Sequence, residues 1–214
     1  YWNQLFRDRV DEAYDSTDET GATTMQTISF DYRFNNLCNF KCRMCGDMLS
    51  SSWEAESRKN KTWTKESQPW MASPLREQII KFQDTQVVQE FVEAVETKRI
   101  KEIYWCGGEP LMWDMHWKAM QRIIELGFAK EVYVRYNTNL SRTSFKGTKL
   151  FDLLPQFQDW QICSSLDGTG EVGEYIRDGL NYEQWLRNFK EGLAVAKTAR
   201  EMRLDYTITM PGLL

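Results

Sequence analysis

The chain has 214 residues, 42% of them hydrophobic and 27% charged, with a formal net charge of -4, five cysteines and one histidine. This is enough apolar chain for one domain with a sizeable core. No stretch is apolar over the length that a membrane span requires, and the slight acidity argues against wholesale nucleic-acid binding. With His116 as the sole histidine, a Ser-His-Asp hydrolase or an imidazole-rich zinc site would have one residue to rest on.

Residues 1–26 carry Asp11, Glu12, Asp15, Asp18 and Glu19 and are expected to form an acidic, mobile arm ahead of a domain over 27–214. No targeting segment is recognised before that domain. Residues 28–36 are rich in aromatic and β-branched side chains and are expected to be extended. They lead into Leu37-Cys38-Asn39-Phe40-Lys41-Cys42-Arg43-Met44-Cys45-Gly46. A structural zinc site fills all four corners, and an ordinary ferredoxin cluster takes four cysteines. A tight trio therefore suggests a cluster with one iron left free. Structural zinc would need Cys106, Cys163 or His116 as a fourth ligand. A disulfide framework would want an even count in a short secreted chain. Inert core cysteines fit poorly with Asn39, Lys41 and Arg43 between them. Thiolate clusters suit a reducing compartment, and the cytoplasm is the expected location.

Residues 47–59 read as a helix whose start is weakened by Ser50, Ser51 and Ser52. Residues 60–73 are polar with scattered tryptophans and read as an irregular loop, a kind of segment that is usually functional or mobile. Trp53, Trp63 and Trp70 are core residues by default, or else walls of a substrate cavity, while Lys59, Lys61 and Lys65 around Trp63 read as a solvated loop. Helices are expected at 74–82 and 85–98, the second with Val87, Val88, Phe91, Val92 and Val95 at helical spacing. A strand over 102–105 runs into Gly107-Gly108-Glu109-Pro110. Paired glycines let backbone approach a ligand, and a carboxylate there can accept hydrogen bonds from an ammonium group. A plain turn facing solvent has the same composition.

A helix over 113–127 with Gly127 as its stop precedes a strand over 131–136 that ends in Asn137-Thr138-Asn139. A short helix over 149–154 is closed by Pro155, and a strand over 161–166 runs into Asp167-Gly168. Helices at 173–177 and 182–200 and a strand at 203–210 complete the series. Strands alternating with helices imply parallel crossovers in an α/β barrel or open sheet. The candidate site segments all follow the C-terminal ends of strands, where such folds place their chemistry.

The C-x3-C-x2-C spacing of Cys38, Cys42 and Cys45 resembles the cluster loop of the radical S-adenosylmethionine (SAM) enzymes, and Gly107-Gly108-Glu109-Pro110 resembles their second hallmark. The resemblance implies a partial (β/α)6 TIM-like barrel, with the last strand and helix unit expected to be missing from this chain. It implies a [4Fe-4S] cluster held by the three cysteines, with the fourth iron chelated by the amino and carboxylate groups of SAM. Reductive cleavage would then give methionine and a 5′-deoxyadenosyl radical that abstracts hydrogen from the substrate. By the same resemblance Gly107, Gly108, Glu109 and Pro110 attend the methionine ammonium. Asn139, Ser165 and Asp167 lie at the nucleotide, and Arg177 at the methionine carboxylate. Met44 stands where the family usually has an aromatic residue near the adenine, and can fill the same apolar surface.

An external flavodoxin-like or ferredoxin-like electron donor is implied as well. The cysteine run looks most like relatives that modify peptides or proteins, often with auxiliary clusters in a C-terminal extension. The alternatives are a small-molecule substrate such as a nucleotide or sugar, and a non-catalytic zinc-bound or cluster-bound module that reads RNA.

Overall fold

A computed structural model describes residues 7–33 and 35–213. Five strands form the central sheet: β1 (Ser29–Tyr32), β2 (Glu102–Trp105), β3 (Tyr133–Thr138), β4 (Asp159–Ser165) and β5 (Met202–Asp205). They pair in parallel in the order β1-β2-β3-β4-β5. Sequential order without a reversal is the arrangement of an α/β barrel wall rather than of a doubly wound sheet.

The helices are α1 (Arg7–Asp15), α2 (Ser51–Asn60), α3 (Ser73–Phe82), α4 (Val88–Glu96), α5 (Asp114–Glu125), α6 (Leu150–Leu153), α7 (Gly170–Ile176) and α8 (Tyr182–Val195). The acidic segment expected as an arm thus carries a helix, α1, and a single bridge joins Thr17 to Thr23. Among the described residues no helix is long and apolar enough to cross a membrane.

Register assigns the two faces of the sheet opposite characters, because side chains alternate along a strand. On one face Phe30, Ile103, Val134 and Trp160 stand in a row, as do Trp105, Tyr136, Ile162 and Met202, and all are buried. Phe91 of α4 and Trp117, Met120 and Ile123 of α5 belong to the same core. The other face carries Asp31, Tyr104, Arg135 and Gln161 in one row and Asn137, Cys163 and Arg203 in the next. A parallel sheet normally reads as continuous apolar runs. This polar second face therefore marks the side turned toward a site.

Several element ends differ from the sequence expectation, each for a local reason. The helix read at 47–59 begins at Ser51, because the Ser50 side chain caps it by accepting from the Trp53 backbone N–H at 3.3 Å. The two helices read at 74–82 and 85–98 are one helical run, bridged by a π-helical segment, Gln83–Val87. The helix read at 182–200 stops at Val195, since the Glu201 carboxylate draws in the backbone N–H groups of Lys197 and Thr198. The strand read at 203–210 stops at Asp205, where Thr207 N–H leaves the ladder to donate to Asp167 Oδ1 at 2.8 Å.

His116 lies on the apolar face, fully buried, with Nε2 2.9 Å from the Tyr136 hydroxyl and its ring edge-on to Trp105 and Trp117. Burial holds its pKa down at about 3, against an ordinary 6.5. The unfolded chain therefore takes up a proton below 6.5 that the folded chain refuses until about 3. Stability is complete above that range and declines on acidification, by at most ~1.4 kcal/mol per pH unit. His116→Phe should flatten the acid limb of stability measured by urea melts between about pH 5 and 7. The same slope in both chains would exclude His116 as its source.

Candidate functional site: three thiols at the strand ends

The cysteine loop leaves β1 and is held on two sides. Lys41 and Cys42 pair antiparallel with Asp178 and Arg177, and Arg43 N–H donates to Ile176 O at 2.9 Å. From the other side the start of α2 supplies hydroxyls. Ser50 Oγ donates to Phe40 O at 2.6 Å and Ser52 Oγ to Cys38 O at 2.8 Å, while Ser51 Oγ accepts from Cys38 N–H at 3.1 Å. The serines that looked like weak helix formers are thus a cap and two clamps on the loop. Trp53 adds a hydrogen bond from Nε1 to Cys42 O at 2.9 Å.

Cys38, Cys42 and Cys45 line one cavity of about 280 Å³, together with Met44, Gly107, Gly108, Asn139, Ser165 and Arg177. Positive and polar donors point at the sulfurs. Arg177 Nη1 lies 3.6 Å from Cys42 Sγ, Phe40 N–H 3.4 Å from Cys38 Sγ, and Asn139 Nδ2 3.9 Å from Cys38 Sγ. Without a metal, burial pushes the Cys38 thiol up to about 11. Cys42 and Cys45 share a hydrogen bond that drives Cys42 up and Cys45 down, so this pair gives up a first proton far more readily than a second. Three sulfur donors with N–H groups and a guanidinium turned toward them suit a thiolate-ligated cluster, whose negative charge those donors offset.

Arg177 is buried and held by Asp167, with Nε 2.7 Å from Oδ2. Burial works against its charge, but Asp167 and the thiols of Cys42 and Cys45 keep it firmly protonated. Asp167 itself is fully buried and does not line the cavity.

The Gly-Gly-Glu-Pro turn differs from its sequence reading in the same way. Gly107 and Gly108 line the cavity, at φ of 79° and 58°, but they also pack against the chain leaving β1. A Cβ on Gly107 would lie 2.8 Å from Arg33 Cα, and one on Gly108 2.9 Å from Leu37 N. Glu109 is 1% exposed and turned inward, accepting from Thr138 Oγ1 at 2.7 Å, Asn139 N–H at 2.7 Å and Leu111 N–H at 3.1 Å. Burial raises its pKa to about 6 in spite of these bonds. Pro110 is buried as the first residue of a 3-10 turn. Glu109, Pro110 and Asp167, expected at the ligand surface, are therefore placed behind the wall that the other named residues form.

Tyr104, Asn137, Arg33 and Thr207, none of them expected at a site, line the same cavity, as does Cys106, expected there only as a fourth zinc ligand. Tyr104 and Cys106 alternate with the buried Ile103 and Trp105, so strict two-residue periodicity carried forward from β2 would have found them. Arg33 and Thr207 follow strand ends and carry no local signal. Cys106 donates from Sγ to Asp31 Oδ1 at 3.0 Å, and burial pushes its thiol up to about 12. His116, a candidate fourth zinc ligand, stands on the opposite face of the sheet from this cavity.

Fold and site together define an α/β protein that gathers three thiols at the C-terminal ends of a parallel sheet. The family model of the Radical SAM superfamily matches residues 32–213, and the chain belongs to that superfamily. Members use a [4Fe-4S] cluster and S-adenosylmethionine. Among solved structures the chain is similar to TYW1 with a lysine-pyruvate adduct bound, at 14% identity and a TM-score of 0.34. That similarity covers 87% of this chain and 57% of the TYW1 chain, so the present chain spans a little over half of it. No curated protein matches the chain.

Proposed function

We propose that the chain is an enzyme that holds a [4Fe-4S] cluster through Cys38, Cys42 and Cys45, cleaves S-adenosylmethionine reductively and abstracts hydrogen from a peptide or protein. One observation carries this reading: three thiols on one cavity wall, two of them receiving N–H donors from Arg177 and Asn139. When bound, the cluster supplies the electron that breaks a carbon–sulfur bond of the sulfonium and so initiates hydrogen abstraction.

The chain's own residues bind, orient and shield. Arg177, fixed by Asp167, offsets thiolate charge and stands ready for a carboxylate. Gly107 and Gly108 offer backbone without side chains to the methionine end. Glu109 acts through the turn, fixing the positions of Thr138 and Asn139. A contact with an ammonium would fall to Oε2, which accepts only from Asn139 N–H, while Oε1 accepts from both Thr138 and Leu111. Asn139 holds Cys38, while Ser165 and Met44 provide a polar and an apolar patch on the same wall for the nucleoside. An apolar rim of Met44 and Leu49 keeps water away from the reacting atoms.

The peptide or protein substrate follows from the likeness of the cysteine run to peptide-modifying relatives. Reduction by an external flavodoxin-like or ferredoxin-like donor and a cytoplasmic setting belong to the same proposal. Anaerobic reconstitution with iron and sulfide, then dithionite and S-adenosylmethionine, should release 5′-deoxyadenosine and methionine. A colourless protein that binds a single zinc ion and releases neither product would overturn the reading.

A further inference from the structure

A second cavity, of about 350 Å³, lies beside the first and shares Arg33, Leu49, Gly107 and Gly108 with it. Its polar wall is ionic and well satisfied. Glu54, 13% exposed at its side chain, accepts from Asn36 Nδ2 at 2.7 Å, Arg58 Nη2 at 2.9 Å and Arg76 Nη2 at 3.0 Å. Burial works to raise the Glu54 carboxyl, but the bonds from Arg76, Asn36 and Arg58 outweigh it and hold the pKa below the ordinary carboxylate value. Taking several charges out of water is costly unless they are fully paired, and here they are paired around a cavity.

Two further features converge on the same space. Trp70, from the irregular segment after α2, lines it with Nε1 anchored 3.3 Å from Asp47 Oδ1. Gln83, which also lines it, opens the π-helical segment between α3 and α4. A π turn inside a helix is a strained insertion found frequently at functional sites. The thiol cavity uses neither residue.

The lining specifies a ligand. Arg76 is balanced by Glu54 at 3.0 Å, whereas Arg33 is the more loosely paired cation, its side chain 64% exposed, with Asp31 3.9 Å away and the neutral Cys106 thiol beside it. Among the described residues no hydrogen bond engages the Asn35 side-chain NH2 or the Gln83 carboxamide. A carboxamide offers a donor and an acceptor in one plane, as a peptide group does, and arginine matches a carboxylate with two parallel bonds. Met48, Leu49, Ile79 and Trp70 form the apolar remainder.

We infer that the second cavity binds an extended peptide segment in which an apolar side chain neighbours a carboxylate, and presents it across Gly107 and Gly108 to the thiol-lined cavity. The presentation step rests on the proposed radical chemistry; the binding does not.

The test pans a display library of random heptapeptides, under anaerobic conditions, against the reconstituted wild-type chain, Ile79→Trp, which fills the cavity, and Arg33→Gln. Peptides pairing an apolar residue with Asp or Glu should be enriched on the wild type. A synthetic copy of the leading peptide should bind Ile79→Trp about ten-fold more weakly or worse, a change of ~1.4 kcal/mol. Arg33→Gln should lose the preference for that peptide over its Asn or Gln counterpart. No enrichment on the wild type, enrichment of basic or purely polar sequences, or equal binding by Ile79→Trp overturns the inference. Should Ile79→Trp fail to fold by circular dichroism, Gln83→Ala replaces it with the same expected loss. Release of 5′-deoxyadenosine is assayed in parallel, and Ile79→Trp should retain it without peptide. Absent release alongside intact peptide selection would count against the radical chemistry alone.

Discussion

Cys42→Ala should reduce the iron of the reconstituted protein from about four atoms per chain to less than about one, with loss of the broad absorbance near roughly 400 nm. Cys42 is the centre of the trio. Its thiol bonds to Cys45 and receives Arg177, and its carbonyl accepts both Cys45 N–H at 3.0 Å and Trp53 Nε1 at 2.9 Å. Alanine keeps those backbone contacts and the pairing with Arg177, so the loop keeps its shape and only a ligand is lost. Two thiolates cannot anchor three irons.

The controls are the cysteines outside the trio. Cys163 is on the polar sheet face and is absent from the lining of the thiol cavity, so Cys163→Ala should load iron as the wild type does. Cys106→Ala is the sharper control, because Cys106 lines the cavity yet is committed to Asp31. Iron loss in either control equal to that of Cys42→Ala would show the ligand assignment to be wrong. Colour and iron content are readouts that a folding defect alone would not separate, so thermal melts of all four apo chains belong to the experiment.

How much of this was legible in the sequence depended on how local the determining physics was. Strand β2 alternates a helix-facing Ile103 and Trp105 with Tyr104 and is followed by paired glycines, and its bounds, Glu102–Trp105, are those the sequence predicts. The cysteine trio is a spacing, which survives folding unchanged. What remained hidden depends on partners far along the chain. Glu109 reads as an exposed carboxylate until Thr138 and Asn139, delivered by the end of β3, surround it. Asp167 reads as half of a turn pair until Arg177 and Thr207 claim its two oxygens. Asn139 reads as a polar strand end until it closes a turn, accepting from Ser141 N–H at 2.9 Å, and with its other end reaches Cys38. Periodicity could not show that the helix of Phe91 and Val95 is continuous with α3, because the π segment shifts the hydrophobic phase where the two meet.

Gly108→Ala should lower stability by about 2–5 kcal/mol and with it the capacity to hold S-adenosylmethionine. The residue sits at φ 58°, a conformation that costs an L-residue roughly 1–2 kcal/mol. Its Cβ would come within 2.9 Å of Asn36 C and Leu37 N, and closer still to the Leu37 carbonyl oxygen. These are backbone atoms with no rotamer to change, and Leu37 O is already bound to Glu109 N–H at 2.7 Å. Overpacking of this kind adds about 1–3 kcal/mol. For a chain of this size the sum corresponds to a fall in melting temperature of roughly 5–15 °C.

The functional consequence follows from connectivity. Leu37 precedes Cys38, so a displaced Leu37 moves the first thiol relative to Arg177 and the Gly-Gly turn. S-adenosylmethionine affinity should therefore fall more than iron content, since all three thiols remain and only Cys38 is displaced. Gly46→Ala is the matching control: it adjoins Cys45, yet its Cβ would meet nothing within 4 Å. That substitution should change stability by no more than about 0.5 kcal/mol. If both glycine variants melt together and bind S-adenosylmethionine alike, the contact between the Gly-Gly turn and the strand leading to the cysteines is not what fixes the site.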